Sequence, residues 1–289
     1  MFDNGLLKYY PKFATKSGCL NMQQLRDIVG LVPSESIDEI YKINDGRSAF
    51  YLKSETKPAV DSQVLISQAL LKSGVGAPVY LPAKTLGSSV GTISEDIQCA
   101  NCIQGVDVKD TLAKRGIYIP RSRISISPNL PIDYSSIFTK EGMRQLLKLN
   151  LFAAPTFLDD LTEENVFYQF DEQGKICGVS AIDFSESCGV SNSKNSRYFS
   201  LNKEIDYINY IGSPNDKTRS QMVEELNHNE IIQQYLPTQE QIEFVGTMAE
   251  EVGNIATDVK ITTGYKISQD YVDRISTSLS DFATELGKV

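Results

Sequence analysis

Histidine is almost absent from this chain. The one it has, His228, sits in the polar string Asn227-His228-Asn229. With no nucleophile beside it in sequence, it reads as a surface residue rather than a catalytic base. Cysteine is sparse and odd in number, five in 289 residues, which argues against a disulfide framework. Cys99 and Cys102 form a single C-x-x-C. Cys19, Cys177 and Cys188 supply no second pair, so a structural zinc would lack its ligands. No apolar run is long enough to span a bilayer. Met1 to Lys12, with Asp3, Lys8 and Lys12 around a short apolar pair, lacks the unbroken apolar centre of a secretory leader. The expectation is a soluble, cytoplasmic protein with no membrane span; export by a route without a cleaved leader stays open.

Positive charge is also in deficit. The formal net charge is -9, which makes nucleic acid a poor partner unless a local basic patch exists. The densest basic stretch, Lys109 to Arg123 with Lys114, Arg115 and Arg121, reads as a solvated helix and loop. What remains is ordinary globular material, 41% hydrophobic and 22% charged. The length suits one large domain or two lobes sharing a cleft.

There is no internal repeat and no low-complexity tract. The first part reads as strands and turns. Asp27 to Val32 is a short apolar run, and Pro33 to Ser36 is a polar turn. Ile37 to Ile43 is strand-like, Asp45-Gly46 signals a hairpin, and Ser48 to Lys53 completes three strands. Asp61 to Lys72 has apolar residues at helical spacing and stops at Ser73-Gly74. Val79 to Leu81 and Val90 to Ile93 are further strands. Around Gly105 to Lys109 the signals shift from strand to helix, which predicts a boundary near residue 105. Beyond it, Lys140 to Phe152 carries an apolar stripe at Met143, Leu146, Leu147 and Leu149. Asn165 to Phe170 and Ile176 to Ile182 are strands joined by the turn Asp171 to Lys175. Helices are expected over Lys203–Tyr210, Asp216–Gln234, Thr238–Val259 and Ser268–Leu286, with Thr238 and Ser268 as caps.

The chemistry concentrates in Asp160-Leu161-Thr162-Glu163-Glu164-Asn165, followed by the hairpin and then Asp183-Phe184-Ser185. An Asp and an Asn five residues apart enter one strand, and a second Asp ends the returning strand. Three oxygen-bearing side chains thus converge at one end of a ribbon. Magnesium takes carboxylate and amide oxygens together with phosphate oxygens. Phosphoryl transfer also uses a carboxylate to receive or orient the attacking hydroxyl. Taken singly, an Asp and Asn at this spacing mean little; order and the intervening hairpin give the pattern its weight.

These residues resemble the protein kinase-like superfamily. Asp160 to Asn165 looks like its catalytic loop and Asp183-Phe184-Ser185 like its D-F-G. The leading helix with Phe152 is similar to the HipA-like and phosphatidylinositol-kinase-like branch of bacterial kinases. The resemblance is clearest over residues 140–188 and weaker over 27–105. It implies an α/β (α+β) two-lobed protein kinase-like fold. Residues 1–105 would be a strand-rich, nucleotide-covering N-lobe and residues 106–289 a mostly helical C-lobe. It implies ATP and Mg2+ (or Mn2+) as cofactors, Asp160 as catalytic base, and Asn165 and Asp183 as metal ligands. Lys53, in Phe50-Tyr51-Leu52-Lys53, matches the phosphate-pairing lysine. Ser34 and Ser36, with the backbone N–H groups of their turn, would cradle phosphate in place of a glycine-rich loop.

The sequence also departs from the pattern. The helix position expected to hold Lys53 with an acid is Gln63; Asp61 or Glu55 would have to substitute. Leu158 and Asp159 stand where histidine and arginine often precede the catalytic Asp. Ser185 replaces the glycine of D-F-G, which restricts the backbone there. Transfer to Ser or Thr of a protein substrate is implied by the resemblance alone. A lipid or small-molecule kinase, a pseudokinase binding module, and nucleotidyl transfer on the same scaffold are the alternatives.

Overall fold

The computed structural model describes residues 7–29, 32–37, 40–44, 49–85, 89–95, 101–116, 134–156, 158, 161, 163–185, 204–209 and 213–288. The chain opens with a 3-10 turn (Leu7–Tyr9), α1 (Tyr10–Phe13), β1 (Leu20–Asn21) and α2 (Met22–Val29). β2 (Val32–Ile37), β3 (Ile40–Asn44) and β4 (Ala49–Ser54) follow, then α3 (Lys57–Ser73), β5 (Tyr80–Lys84) and β6 (Val90–Glu95). These strands build a six-stranded sheet in the order β1-β5-β6-β4-β3-β2, antiparallel except for the parallel β1–β5 pair. β4 alternates as a strand must: Phe50 and Leu52 are buried with Leu20, Met22, Leu25, Leu81 and Ile93. Tyr51 and Lys53 therefore point to the opposite face, which sends Lys53 away from the sheet's own core.

Two expectations fail here. Asp27 to Val29 ends α2 rather than beginning a strand, and the first strand of the meander starts at Val32. Pro33 to Ser36 is not a turn but part of β2; the reversal falls between Ile37 and Ile40, which are paired. The polar residues mislead because β2 is an edge strand, where Pro is tolerated and serine and glutamate can face water. Ser34 is the residue that the ladder skips, between the pairs Pro33–Ile43 and Glu35–Lys42.

α3 is the central element. Thr56 caps it by accepting from the Ala59 N–H, Pro58 lies in the first turn, and Gly74 ends it with φ of 84°. Every residue from Ala59 to Leu70 is buried, so the helix lies between layers rather than on a surface. One side packs on β5 and β6, another on the C-terminal helices. At Gly76 the chain binds β9 (Ile176–Ala181): the Gly76 N–H donates to the Val179 carbonyl, and the Ala181 N–H to the Gly76 carbonyl, both at 2.9 Å. A Cβ at Gly76 would come within 2.0 Å of the Ser180 hydroxyl, so only glycine permits this approach.

β7 (Cys102–Gln104) lies outside the first sheet and pairs with β8 (Val166–Phe170), which pairs with β9 in a three-stranded sheet. Cys102 is disulfide-bonded, whereas Cys19 and Cys177 are free. α4 (Gly105–Lys114), α5 (Tyr134–Ile137) and α6 (Lys140–Thr156) precede the β8–β9 hairpin. Leu146, Leu147, Leu149 and Phe152 of α6 join the larger core with Val166, Ile176 and Val179, which seats the hairpin. β10 (Glu204–Asn209) and β11 (Ser213–Thr218) form a separate antiparallel pair. This corrects the helix expected over 203–210. Ile205, Tyr207 and Ile208 favour extended backbone, and so short a segment has no helical stability of its own. α7 (Arg219–His228) and α8 (Glu230–Tyr235) divide what the sequence suggested as one helix, and His228 is exposed at the end of α7.

α9 (Thr238–Thr263) and α10 (Gln269–Leu286) close the fold, packed along each other. Neither expected cap makes a side-chain capping bond. Thr238 lies inside α9 and binds Asn227 and Gln233 instead. No helix among the described residues is long and apolar enough to cross a membrane.

Candidate active site

Lys53 leaves the end of β4 on the face turned from its sheet and meets the end of β9. Its ammonium donates to both carboxylate oxygens of Asp183, at 3.1 and 3.0 Å. Glu55, two residues on, faces the same way and stands 3.6 Å from the ammonium. The cluster has a buried side and an open side: Glu55 is 3% exposed, Lys53 29% and Asp183 28%. Close passage of β6 supports this corner, since a Cβ at Gly91 would strike the Lys53 carbonyl.

The second acid beside Lys53, after Asp183, is therefore Glu55, one residue past the end of β4, and not a helix residue. Asp61 is occupied elsewhere: Lys57 donates to both its oxygens at 2.8 Å. Gln63 takes the helix position and bridges the whole site. Its amide nitrogen donates to Glu55 at 3.1 Å and to Asp183 at 2.8 Å, and its oxygen accepts from the Phe184 N–H at 2.8 Å. An amide serves here where a carboxylate would fail, because two carboxylates need a donor between them. Thr92 donates to the second Glu55 oxygen at 2.6 Å.

Asp183 has φ of 57°, the one described non-glycine residue in the left-handed region. Such a conformation costs about 1 kcal/mol or more and persists only where neighbours fix it. Three contacts do so. The Asp183 N–H donates to the Tyr80 hydroxyl at 3.1 Å, the Phe184 N–H to Gln63, and Ser62 donates to the Phe184 carbonyl. Phe184 is buried against Tyr80 at an edge-on angle of 76°. Serine at 185 is accommodated because the strained residue is Asp183; Ser185 donates to the Asp183 carboxylate at 3.0 Å.

Burial works against the Lys53 ammonium, but the charges of Asp183 and Glu55 outweigh it and hold its pKa above the ordinary value. For Asp183, burial is likewise opposed, by the Lys53 charge and by bonds from Lys53, Ser185 and Gln63, and its pKa is held down. Glu55 goes the other way. Its burial outweighs help from Thr92, Lys53 and Gln63, with Asp183 adding repulsion, so its pKa is raised. Tyr80 is pushed well up, first by burial, and stays a neutral hydroxyl.

Asn165 ends a 3-10 turn (Glu163–Asn165) at the start of β8, and its carbonyl accepts from the Ile182 N–H at 2.9 Å. Asn165 and Asp183 therefore lie at the same end of the hairpin. Asp160, like its neighbour Asp159, lies outside the described residues; Leu158 and Leu161 on either side are buried in the larger core. Ser34 and Ser36 belong to the strand β2, with side chains outside what is described. Sequence reasoning missed Tyr80, Ser62 and Thr92. None lies in a motif; only the fold brings them to the site.

The chain matches no family model and no curated protein. Among solved structures, the Helicobacter pylori proinflammatory kinase CtkA aligns over 92% of this chain and 95% of its own, at 8% identity and a TM-score of 0.55. HipA of Shewanella oneidensis MR-1, solved with HipB and operator DNA, aligns over 92% of this chain and 72% of its own, at 13% identity and a TM-score of 0.49. The likeness to the first, together with a strand-rich sheet set over a helical body and a lysine meeting the aspartate of a D-F-S turn between them, gives this chain a divergent protein kinase-like fold.

Proposed function

We propose that this protein is an ATP- and divalent-metal-dependent kinase that transfers the γ-phosphoryl group to serine or threonine of a protein. The observation that carries the reading is the half-open cluster of Lys53, Glu55 and Asp183 between the two sheets. Its fixed charges suit triphosphate and metal. Counting one positive and two negative charges, the cluster is net negative by one, which favours a cation beside it. Among the described residues no group of three or more His, Cys, Asp or Glu could hold a metal alone. A cation there would need phosphate oxygens to complete its shell, which is how magnesium is ordinarily held with nucleotides. The residues present fit that arrangement: Asp183 and Asn165 would hold the ion.

A metal held by Asp183 and Asn165 would supply positive charge against the phosphate oxygens. Lys53, charged throughout the working range, would trade part of its contact with Asp183 for a phosphate oxygen, while Glu55 keeps its stem aligned. Asp160 would orient and accept the proton of the acceptor hydroxyl. Ser34 and Ser36 would contribute from the edge hairpin. In this reading residues 1–105 cover the nucleotide and residues 106–289 carry the catalytic loop.

The test is incubation of the purified chain with γ-labelled or α-labelled ATP, magnesium or manganese, and a cell lysate. Label from the γ position in protein supports the reading. Label in lipid extract or in small molecules moves the acceptor class. Label from the α position means nucleotidyl transfer, and absence of ATP binding removes the enzyme reading.

A further inference from the structure

α3 carries three consecutive buried polar residues, Asp61, Ser62 and Gln63, none more than 2% exposed. Successive helical residues point roughly 100° apart, so the three look in different directions. Gln63 faces the charge cluster. Ser62 donates to the Phe184 carbonyl and accepts from the Tyr271 hydroxyl at 3.1 Å. Asp61 accepts from Lys57, from the Tyr265 hydroxyl at 2.9 Å and from the Ser268 N–H at 3.2 Å. Tyr265 and Ser268 belong to the connection between α9 and α10, and Tyr271 to the first turn of α10.

We propose that the C-terminal helical pair is part of the machinery that sets Asp183: Tyr271, acting through Ser62, is a positioning residue for the D-F-S turn, and Tyr265, acting through Asp61, anchors the helix that carries it. This rests on the reading of Asp183 as a metal ligand. The peptide units on both sides of Phe184 are fixed from α3, by Gln63 at the N–H and Ser62 at the carbonyl. A serine hydroxyl in a helix has an alternative, which is to bond back to its own helix. Ser67 and Ser73 of α3 do that, to the Val64 and Leu70 carbonyls at 3.2 and 2.6 Å. The Tyr271 hydroxyl, donating to the Ser62 oxygen, turns the Ser62 proton toward Phe184 instead. The relay is fully enclosed, with Tyr271 2%, Ser62 0% and Phe184 1% exposed, so no water competes for it. The connection reaches the N-terminal segment as well: Gly18, at φ of 77°, lies where a Cβ would meet the Tyr265 backbone nitrogen.

The test uses the full chain with Tyr271→Phe, Ser62→Ala, the double variant, Tyr265→Phe and, as control, Ser276→Ala. Ser276 donates to the Ala249 carbonyl at 2.7 Å and so joins the same two helices outside the Ser62–Tyr271 pair. Two quantities are read: amide exchange of the Phe184 N–H, and ATP affinity by calorimetry with and without magnesium. Tyr271→Phe is expected to speed exchange at Phe184 by about five- to tenfold, the loss of one buried hydrogen bond. It should reduce the magnesium-dependent gain in affinity by a similar factor while leaving metal-free ATP binding unchanged. Ser62→Ala should do the same, and the double variant should be no worse than either, since both remove one relay. Tyr265→Phe should speed the same exchange, and Ser276→Ala should change neither quantity. If Tyr271→Phe matches Ser276→Ala in exchange, or if the two relay variants add, the inference is overturned. A wild-type chain that binds no ATP with magnesium removes the functional reading, and the exchange comparison still decides the relay.

Discussion

Replacing Gln63 with glutamate would supply the acid that the sequence resemblance implies on this helix, and the geometry says it should do harm. The Gln63 amide nitrogen is 2.8 Å from an Asp183 oxygen and 3.1 Å from a Glu55 oxygen. A carboxylate in its place loses both donations and puts a third negative charge around one lysine. At these separations the bare repulsion, even at an effective dielectric of about 20, is on the order of 5 kcal/mol per pair. The new group would take up a proton first. From an ordinary pKa of about 4.3, that costs about 3.7 kcal/mol at pH 7 and about 1 kcal/mol at pH 5. The protonated form can donate to one neighbour only, so Gln63→Glu should destabilise the nucleotide-free protein by about 3 to 4 kcal/mol at pH 7. Because a raised carboxyl pKa favours folding only while the proton is held, the deficit should shrink as pH falls, by about 2.7 kcal/mol between pH 7 and pH 5. Urea unfolding of both proteins at the two pH values measures it. A variant as stable as wild type at pH 7, or a deficit that does not change with pH, would refute the assignment of Gln63 as the donor between two carboxylates.

The remaining expectations follow from the same contacts. Asp183→Ala should abolish metal-dependent nucleotide binding more severely than Asn165→Ala; calorimetry showing unchanged magnesium–ATP binding in Asp183→Ala would reverse the ligand assignment. Lys53→Met keeps the stem but leaves Glu55, 3% exposed, without its cation, so both activity and stability should fall, stability by about 3 kcal/mol; an active variant would move the phosphate contact away from Lys53. Glu55 has a raised pKa, so ionising it opposes folding as pH rises above its ordinary value. Glu55→Gln should therefore gain stability relative to wild type between pH 4 and pH 7, and a relative loss over that range in urea titrations would contradict the burial argument. Asp160→Asn should lower single-turnover transfer far more than ATP affinity, while Asp159→Asn leaves both intact; the reverse pattern would shift the catalytic loop by one residue.

The stretch from α6 to Asp183 was legible because its signals are local. The apolar stripe of α6, the turn from Asp171 to Lys175 and the strands around it are specified by spacing within a few residues. Asp183 follows at a fixed distance along the chain. The strand region was harder. Edge strand β2 is polar enough to read as a turn, since solvent satisfies its open side, and α2 lies where a short apolar run allowed either helix or strand. Over residues 203–210 the helical spacing of Ile205 and Ile208 competed with extended propensity, and pairing with β11 decided it.

The partner of Lys53 shows why reading by position falls short at the site itself. Sequence order asks which helix residue aligns with an expected acid, and that residue is Gln63. The physical requirement is different: an anion within reach of the ammonium, buried enough to persist, with its own oxygens satisfied. The chain satisfies it just past the end of β4, where Glu55, two residues after Lys53 and bonded through its N–H to the Val90 carbonyl, faces the same way as the lysine. Once Glu55 supplies the charge, an acid at position 63 becomes a liability and an amide becomes necessary, because Asp183 and Glu55 then need a donor between them. The amide on the helix and the acid just past β4 therefore answer one another. That coupling makes Gln63 part of the charge cluster, whereas read alone it would suggest a missing charge.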